Sequence, residues 1–199
     1  MKQVEFFFDV GSPYSYLAYQ QLPKLTHDHD AHILWHPILL GGLFQATGNS
    51  SPATVPAKAA HAMKDLERWA EYYQVPFKHN PFFPINTLPL MRGAIGLQLY
   101  DQNRFHTYLA AVYSAMFEDP RDLGSVDELT RVLGTAGMTL EDFNALIQDE
   151  AVKKKLKQNT EEAVSRGVFG APTFFVGTEM YWGQDRLLFV EAKLRTCAS

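Results

Sequence analysis

The sequence predicts an α/β protein in which a sheet domain is contributed by both ends of the chain and interrupted by a large all-helical insertion. Three observations predict it. The first 40 residues read as strand, helix, strand; the last 30 or so read as strand, strand, helix; and roughly 120 residues between them carry apolar positions at helical spacing. The domains expected are 1–50 plus 168–199 for the sheet unit and 51–167 for the insertion.

The opening strand is Val4 to Phe8, a short β-branched and aromatic run bounded by Asp9 and Gly11. Ser12 then offers an N-cap, Pro13 suits the first helical position, and Tyr16, Leu17, Tyr19, Gln20 and Leu25 continue a helix. Such a helix start presents free N–H groups and the positive end of the dipole, an address for an anion beside the Ser12 hydroxyl. By itself Ser12 reads first as a cap, which stabilises a helix by about 1 kcal/mol without further function.

His27-Asp28-His29-Asp30 reads as a polar connection, and Ala31 to Leu40 as a second strand, parallel to the first because a crossover helix separates them. His27, His29, His32 and His36 lack the helical His-x-x-x-His spacing that gathers metal ligands, so they read as loop and strand-edge histidines and no metal is expected. From Gly41-Gly42 to Pro52 the chain reads as loop.

The period then becomes 3.6. Ala59, Met63, Leu66, Trp69, Ala70 and Tyr73 share a face of a helix running from Pro56 to just before Val75-Pro76. An aromatic loop, Phe77 to Pro84, leads to helices carrying Leu88, Met91, Ile95 and Leu99, and then Phe105, Leu109, Val112 and Met116. Ser125-x-x-Glu128 and, as a looser match, Thr139-x-x-Asp142 read as capping boxes of two short helices. A long helix with Val152, Leu156, Ala163 and Val164 stops at Gly167; its Lys153-Lys154-Lys155 run reads as a solvated face. Thr173–Val176, a Gly177-Thr178 turn and Glu179–Trp182 form a hairpin, and a last helix begins at Asp185.

Composition narrows the function. A net charge of −4 and no basic stripe argue against nucleic acid, and no apolar run approaches the ~20 residues needed to span a bilayer. With no export signal recognised, a cytoplasmic protein is expected. Cys197 is the single cysteine, so an intrachain disulfide and Cys-x-x-Cys chemistry are excluded. Any thiol chemistry must use a sulfur from elsewhere.

With Pro172 directly before the third strand, this order of elements resembles the thioredoxin fold, and the helical insertion resembles its DsbA-like branch. Serines then stand at both cysteine positions, in Ser12-Pro13-Tyr14-Ser15. Four ordered motifs, Phe8 to Tyr16, Gly48-Asn49, Gly167 to Pro172, and Trp182 to Leu187, look like the kappa-class glutathione transferases and, more closely, the bacterial 2-hydroxychromene-2-carboxylate isomerases. Gln184 departs from the Asn or Ser common among such relatives.

The resemblance implies an enzyme with glutathione as cofactor. Ser12 would donate its hydroxyl to the glutathione sulfur and favour the thiolate, a role reinforced by the helix start. Pro172 would be cis, with Ala171 pairing to the cysteinyl backbone. Asp185 would take the γ-glutamyl ammonium, and Arg186 with the nearby helix N–H groups its carboxylate; Gln184 would also be among the glutathione-binding residues. Asn49 and Lys58 would lie near the sulfur or the glycyl end. The reaction implied is interconversion of 2-hydroxychromene-2-carboxylate-type compounds with their trans-hydroxybenzylidenepyruvate isomers by reversible addition, rotation and elimination, within aromatic-compound catabolism. Phe44, Phe82 and Phe83 would wall a pocket for the flat anion, with Asn86 or Arg92 as polar handle; the same aromatics would equally serve to pack the insertion on the sheet. A homodimer is expected. The alternatives are a kappa-like transferase that conjugates electrophiles and a non-catalytic thioredoxin-fold binding protein.

Overall fold

The computed structural model describes residues 2–196; Cys197 lies outside them. Four strands, β1 (Lys2–Phe8), β2 (Ala31–Pro37), β3 (Thr173–Val176) and β4 (Glu179–Trp182), form one mixed sheet in the order β2-β1-β3-β4. β1 runs parallel to β2, with Phe6 opposite Trp35, and antiparallel to β3, with Phe6 opposite Phe174. The two ends of the chain therefore meet at β1, whose Val4, Phe6, Phe7 and Phe8 are fully buried. A strand covered on both faces must be apolar on both, which is why Phe6-Phe7-Phe8 is continuous rather than alternating.

Those phenylalanines divide the interior in two. Phe6 and Phe8 enter the larger core, where Phe6 stacks on Phe174 at 5.4 Å and meets Trp35 edge-on. Helices α1 (Pro13–Asp28), α9 (Leu187–Thr196) and most of the insertion close that side. Phe7 faces the other way, packing with Ile38, Leu43, Ala163, Val168 and Phe175 under α2 (Leu40–Thr47) and α8 (Glu150–Ser165). α8 is pinned to the sheet: Asn159 Nδ2 donates to the Pro37 carbonyl at 3.1 Å, and Arg166, just past its end, forms a bidentate pair with Glu5 of β1.

The insertion contributes α3 (Pro56–Tyr73), α4 (Leu88–Tyr100), α5 (Gln102–Phe117), α6 (Val126–Thr135) and α7 (Leu140–Gln148) before α8. α4 carries two glycines where neighbours press closest. A Cβ on Gly96 would lie 2.4 Å from Leu146 Cγ of α7, and one on Gly93 2.6 Å from both Phe143 and the Tyr108 hydroxyl.

Four local expectations need correction. His27 and Asp28 end α1 rather than starting the connection, and the turn is His29-Asp30, with Asp30 at φ 51°. The second strand stops at Pro37, not Leu40. The stretch read as loop contains α2, which runs through Gly41-Gly42 because Leu43 buries against α8 and the sheet, and it closes on Gly48 at φ 69°. Ser125 occupies its N-cap position without a side-chain cap bond, whereas Thr139 caps its helix, Oγ1 accepting from Asp142 N at 3.0 Å and donating to Asp142 Oδ2 at 2.7 Å, so the Asp142 side chain meets the Thr139 hydroxyl rather than the backbone N–H of a full capping box.

Candidate active site

The end of β1 delivers Ser12 to the start of α1 with its backbone extended, φ −90° and ψ 114°. Its Oγ accepts from Ser15 N at 3.1 Å, as a cap does, and donates to the Ala171 carbonyl at 2.9 Å, a residue 159 positions later. The Ala171–Pro172 peptide is cis. Ser12 is 5 % exposed, so its hydroxyl sits at the floor of the surface rather than on it. Pro13 has no N–H, Ser15 N is spent on the cap, and Tyr16 N bonds the Ser12 carbonyl. Tyr14 N–H has no hydrogen-bond partner among the described residues. A helix start of this kind turns a first-turn N–H toward an anion, while the Ser12 hydroxyl proton is given to the Ala171 carbonyl.

The turn around Pro172 extends the polar edge. The Pro172 carbonyl accepts from Gly183 N at 3.0 Å, which brings Gln184, Asp185 and Arg186 alongside in a single 3-10 turn before α9. Asp185 and Arg186 pair at 2.6 Å and both remain substantially exposed. Asn49 Nδ2 donates to the Phe169 carbonyl at 2.8 Å, tying the end of α2 to the approach of the same turn.

The insertion closes the other side. Tyr73 of α3 donates its hydroxyl to the Gln184 carbonyl at 3.0 Å, and Tyr14 donates to Asp65 of α3 at 3.3 Å. Burial, the Asp65 carboxylate and, further off, Asp185 push the Tyr14 phenol up to about 12, so it remains a neutral donor. Between α1, α3 and α9 a groove of about 580 Å³ opens beside Asp185, with Trp69, Tyr73, Asp65 and Lys24 among its walls.

A family model described as the DSBA-like thioredoxin domain matches residues 3–195. The chain is 36% identical over 195 residues to the 2-hydroxychromene-2-carboxylate isomerase of Pseudomonas sp. (strain C18), covering 94% of this chain and 88% of that protein. This chain belongs to the 2-hydroxychromene-2-carboxylate isomerase family of DSBA-like thioredoxin domains. A solved 2-hydroxychromene-2-carboxylate isomerase matches it with a TM-score of 0.80 and 32% identity, over 97% of this chain and 94% of that one. Glutathione S-transferase kappa 1 of Homo sapiens is more distant, 27% identical over 94% of this chain and 88% of that protein. Membership of the isomerase family makes this protein an enzyme.

Of the residues that the isomerase motifs single out, Ser12 meets Ala171 directly, the Gly183 N to Pro172 carbonyl bond brings the turn of Gln184, Asp185 and Arg186 beside Pro172 with Gln184 buried, and Asn49 bonds Phe169 on the approach to that turn. Lys58 is exposed on the first turn of α3. Phe82 and Phe83 are 50 % and 47 % exposed, so they do not pack the insertion onto the sheet; Phe44 is half-buried on α2. Asn86 Oδ1 accepts from Leu88 N at 3.1 Å and so starts α4. Arg92, on the second turn of α4, keeps a buried Nε without a hydrogen-bond partner among the described residues.

The four histidines disperse. His29 meets Glu191 at 3.2 Å, and His36 stacks on Phe7 while its Nε2 lies 3.2 Å from Glu5. His27 and His32 border a groove with Trp35 and His106.

Sequence reading passed over Asp65, Thr87 and, above all, Asp9. Asp9 is 1 % exposed between the buried Phe8 and Val10, just past the end of β1, and its oxygens accept from Gly11 N, Leu40 N and Thr87 Oγ1 at 2.9, 2.8 and 3.1 Å. A charge inside a buried run was the available signal.

Proposed function

We propose that this enzyme is a glutathione-dependent isomerase that interconverts 2-hydroxychromene-2-carboxylate-type compounds and their trans-hydroxybenzylidenepyruvate isomers. The observation that carries this reading is the meeting of Ser12 Oγ and the Ala171 carbonyl at 2.9 Å, at one end of an edge that continues through Pro172 to Asp185.

The groups along that edge suit a thiol tripeptide. Tyr14 N–H and the Ser12 hydroxyl offer two donors for a sulfur anion, the Ala171 carbonyl an acceptor for an amide, Asp185 a partner for an ammonium, and Arg186 one for a carboxylate. Gln184 borders the same end, while Asn49 and Lys58 are assigned to the rim and the glycyl end. Glutathione held by these residues would supply a thiolate, the nucleophile needed for reversible addition to the conjugated double bond of the substrate, bond rotation and elimination.

Ser12 acts by an exchange of hydrogen bonds. Its proton points at the Ala171 carbonyl; when an amide N–H takes that carbonyl, the Ser12 hydroxyl turns to the sulfur and stabilises its charge. Ser12 is not itself the nucleophile, because its Oγ is bonded to Ser15 N and Ala171 O and meets no side-chain base. Tyr14, held protonated, keeps its negative form away from the sulfur. Phe44, Phe82 and Phe83 are assigned to the wall for a flat aromatic anion. Asn86 and Arg92 are assigned as its polar handles.

The wider setting follows from the same reading: the insertion at 51–167, together with Phe44, shapes the electrophile side, and the unit formed by 1–50 with 168–199, together with Lys58, the glutathione side, in a cytoplasmic homodimer of aromatic-compound catabolism. Among the described residues no helix is long and apolar enough to cross a membrane. The kappa-class relatives favour one second reading, irreversible conjugation of electrophiles. Following chromene carboxylate absorbance and free thiol together separates the two: isomerisation sustained at catalytic glutathione supports the isomerase, and stoichiometric loss of thiol supports the transferase. No glutathione binding at millimolar concentration by calorimetry defeats both.

A further inference from the structure

Beneath the helix start lies a side chain for which the reaction outlined above has no role. The Asp9 carboxylate is buried 3 residues before Ser12 and joins three elements: Oδ1 takes Gly11 N of the β1–α1 turn, and Oδ2 takes both Leu40 N at the start of α2 and Thr87 Oγ1 just before α4. Its backbone carbonyl also accepts from Ser12 N at 3.0 Å.

We propose that Asp9 is a positioning residue: it sets the Ser12 hydroxyl against the glutathione sulfur and holds the electrophile-side loop in register with it. This rests on the functional reading above. The bonds divide accordingly. Gly11 N and the Asp9 carbonyl fix the turn from which Ser12 projects, while Thr87 carries the end of the loop that bears Phe82, Phe83 and Asn86. The approach is close, since a Cβ on Gly11 would fall 2.7 Å from Thr87 Cγ2. Leu40 starts the helix that bears Phe44 and leads to Asn49.

A carboxylate suits this place better than an amide. Three donors converge on its two oxygens, and the NH₂ group of an asparagine would confront either the Gly11 N–H or the Leu40 N–H. Burial raises the Asp9 carboxyl above its ordinary value, and the three donors pull it back toward the ionised form. Facing it from α5 is Tyr113, buried, with a hydroxyl that lacks a hydrogen-bond partner among the described residues and a phenol pushed up by burial and by the Asp9 charge.

The test uses the full chain, glutathione and a chromene carboxylate. The wild type is first titrated with glutathione by calorimetry, and the bound thiolate is followed by ultraviolet difference absorbance against pH. Asp9→Asn is expected to raise the midpoint of the bound thiol by about one pH unit and lower kcat at neutral pH by about tenfold. Thr87→Val, which keeps the turn bonds and removes one donor, is expected to raise KM for the chromene carboxylate several-fold while the thiol midpoint stays. A folded Asp9→Asn with wild-type midpoint and kcat, or with a lowered midpoint, overturns the proposal. Should Asp9→Asn fail to fold, Thr87→Val decides: an unchanged KM overturns it. A wild type that binds no glutathione defeats the functional reading, and this proposal with it; binding and turnover with silent variants defeat the role of Asp9 alone.

Discussion

Ser12 Oγ donates to the Ala171 carbonyl at 2.9 Å, joining the first helix to the turn before the third strand. The same oxygen caps the helix by accepting from Ser15 N. One hydroxyl thus serves the fold and stands where the chemistry is proposed.

Those two roles separate in a Ser12→Ala variant. Loss of the cap costs about 1 kcal/mol of stability, leaving the fold intact. Turnover is expected to fall by about 10²-fold, the effect of deleting a donor aimed at developing charge. Steady-state kinetics beside a denaturant midpoint checks both, and a variant with full turnover ends the role of Ser12.

Asp185→Asn removes the charge assigned to an ammonium and frees Arg186 from its 2.6 Å partner. The expected result is about tenfold weaker glutathione binding by calorimetry, with kcat nearly unchanged at saturation. Equal affinity would reassign this carboxylate to the local ion pair.

Gly96 tests how tightly α4 meets α7. Alanine would add about 1 kcal/mol of helix propensity, but its Cβ would meet Leu146 Cγ at 2.4 Å. The clash prevails, with a net loss of about 1–3 kcal/mol. Adding Leu146→Ala opens the space, so a double-mutant cycle should show favourable coupling of about 1–2 kcal/mol.

Stability should fall on acidification in two steps. His36 is held below its ordinary 6.5 mainly by burial, so the folded state prefers it neutral; its contribution is full above about pH 6.5 and fades as pH drops below that. Glu5 is held below its ordinary 4.5, first by its hydrogen bond from Arg166, so its contribution is full above about pH 4.5 and is lost as pH falls through its lower folded value. Glu5→Gln should lower stability by about 1–2 kcal/mol at neutral pH, a figure reduced for partial exposure, and flatten the profile below pH 4.5. Urea denaturation across pH 3–8 would show it, and an unchanged acid limb would remove Glu5 as its source.

Features set within a few residues were legible from the amino-acid order alone. Phe6 to Phe8 declared a buried strand, Ser12-Pro13 a helix start and Gly167 a helix stop, because chain period, capping chemistry and backbone freedom act over a few residues. The family motifs named Ser12, Pro172, Asp185 and Arg186 together, although they lie far apart in the chain. Features that depend on a distant partner emerged with the folded chain. Gly41-Gly42 became helix because Leu43 found a buried seat under α8, and Asp9, read as the end of a strand, became a junction because Leu40 and Thr87 arrive from elsewhere with donors it must satisfy. The stretch from Phe6 to Ser12 announced where the proposed site begins; the partner of the Ser12 hydroxyl is Ala171, which a linear reading cannot bring within 2.9 Å.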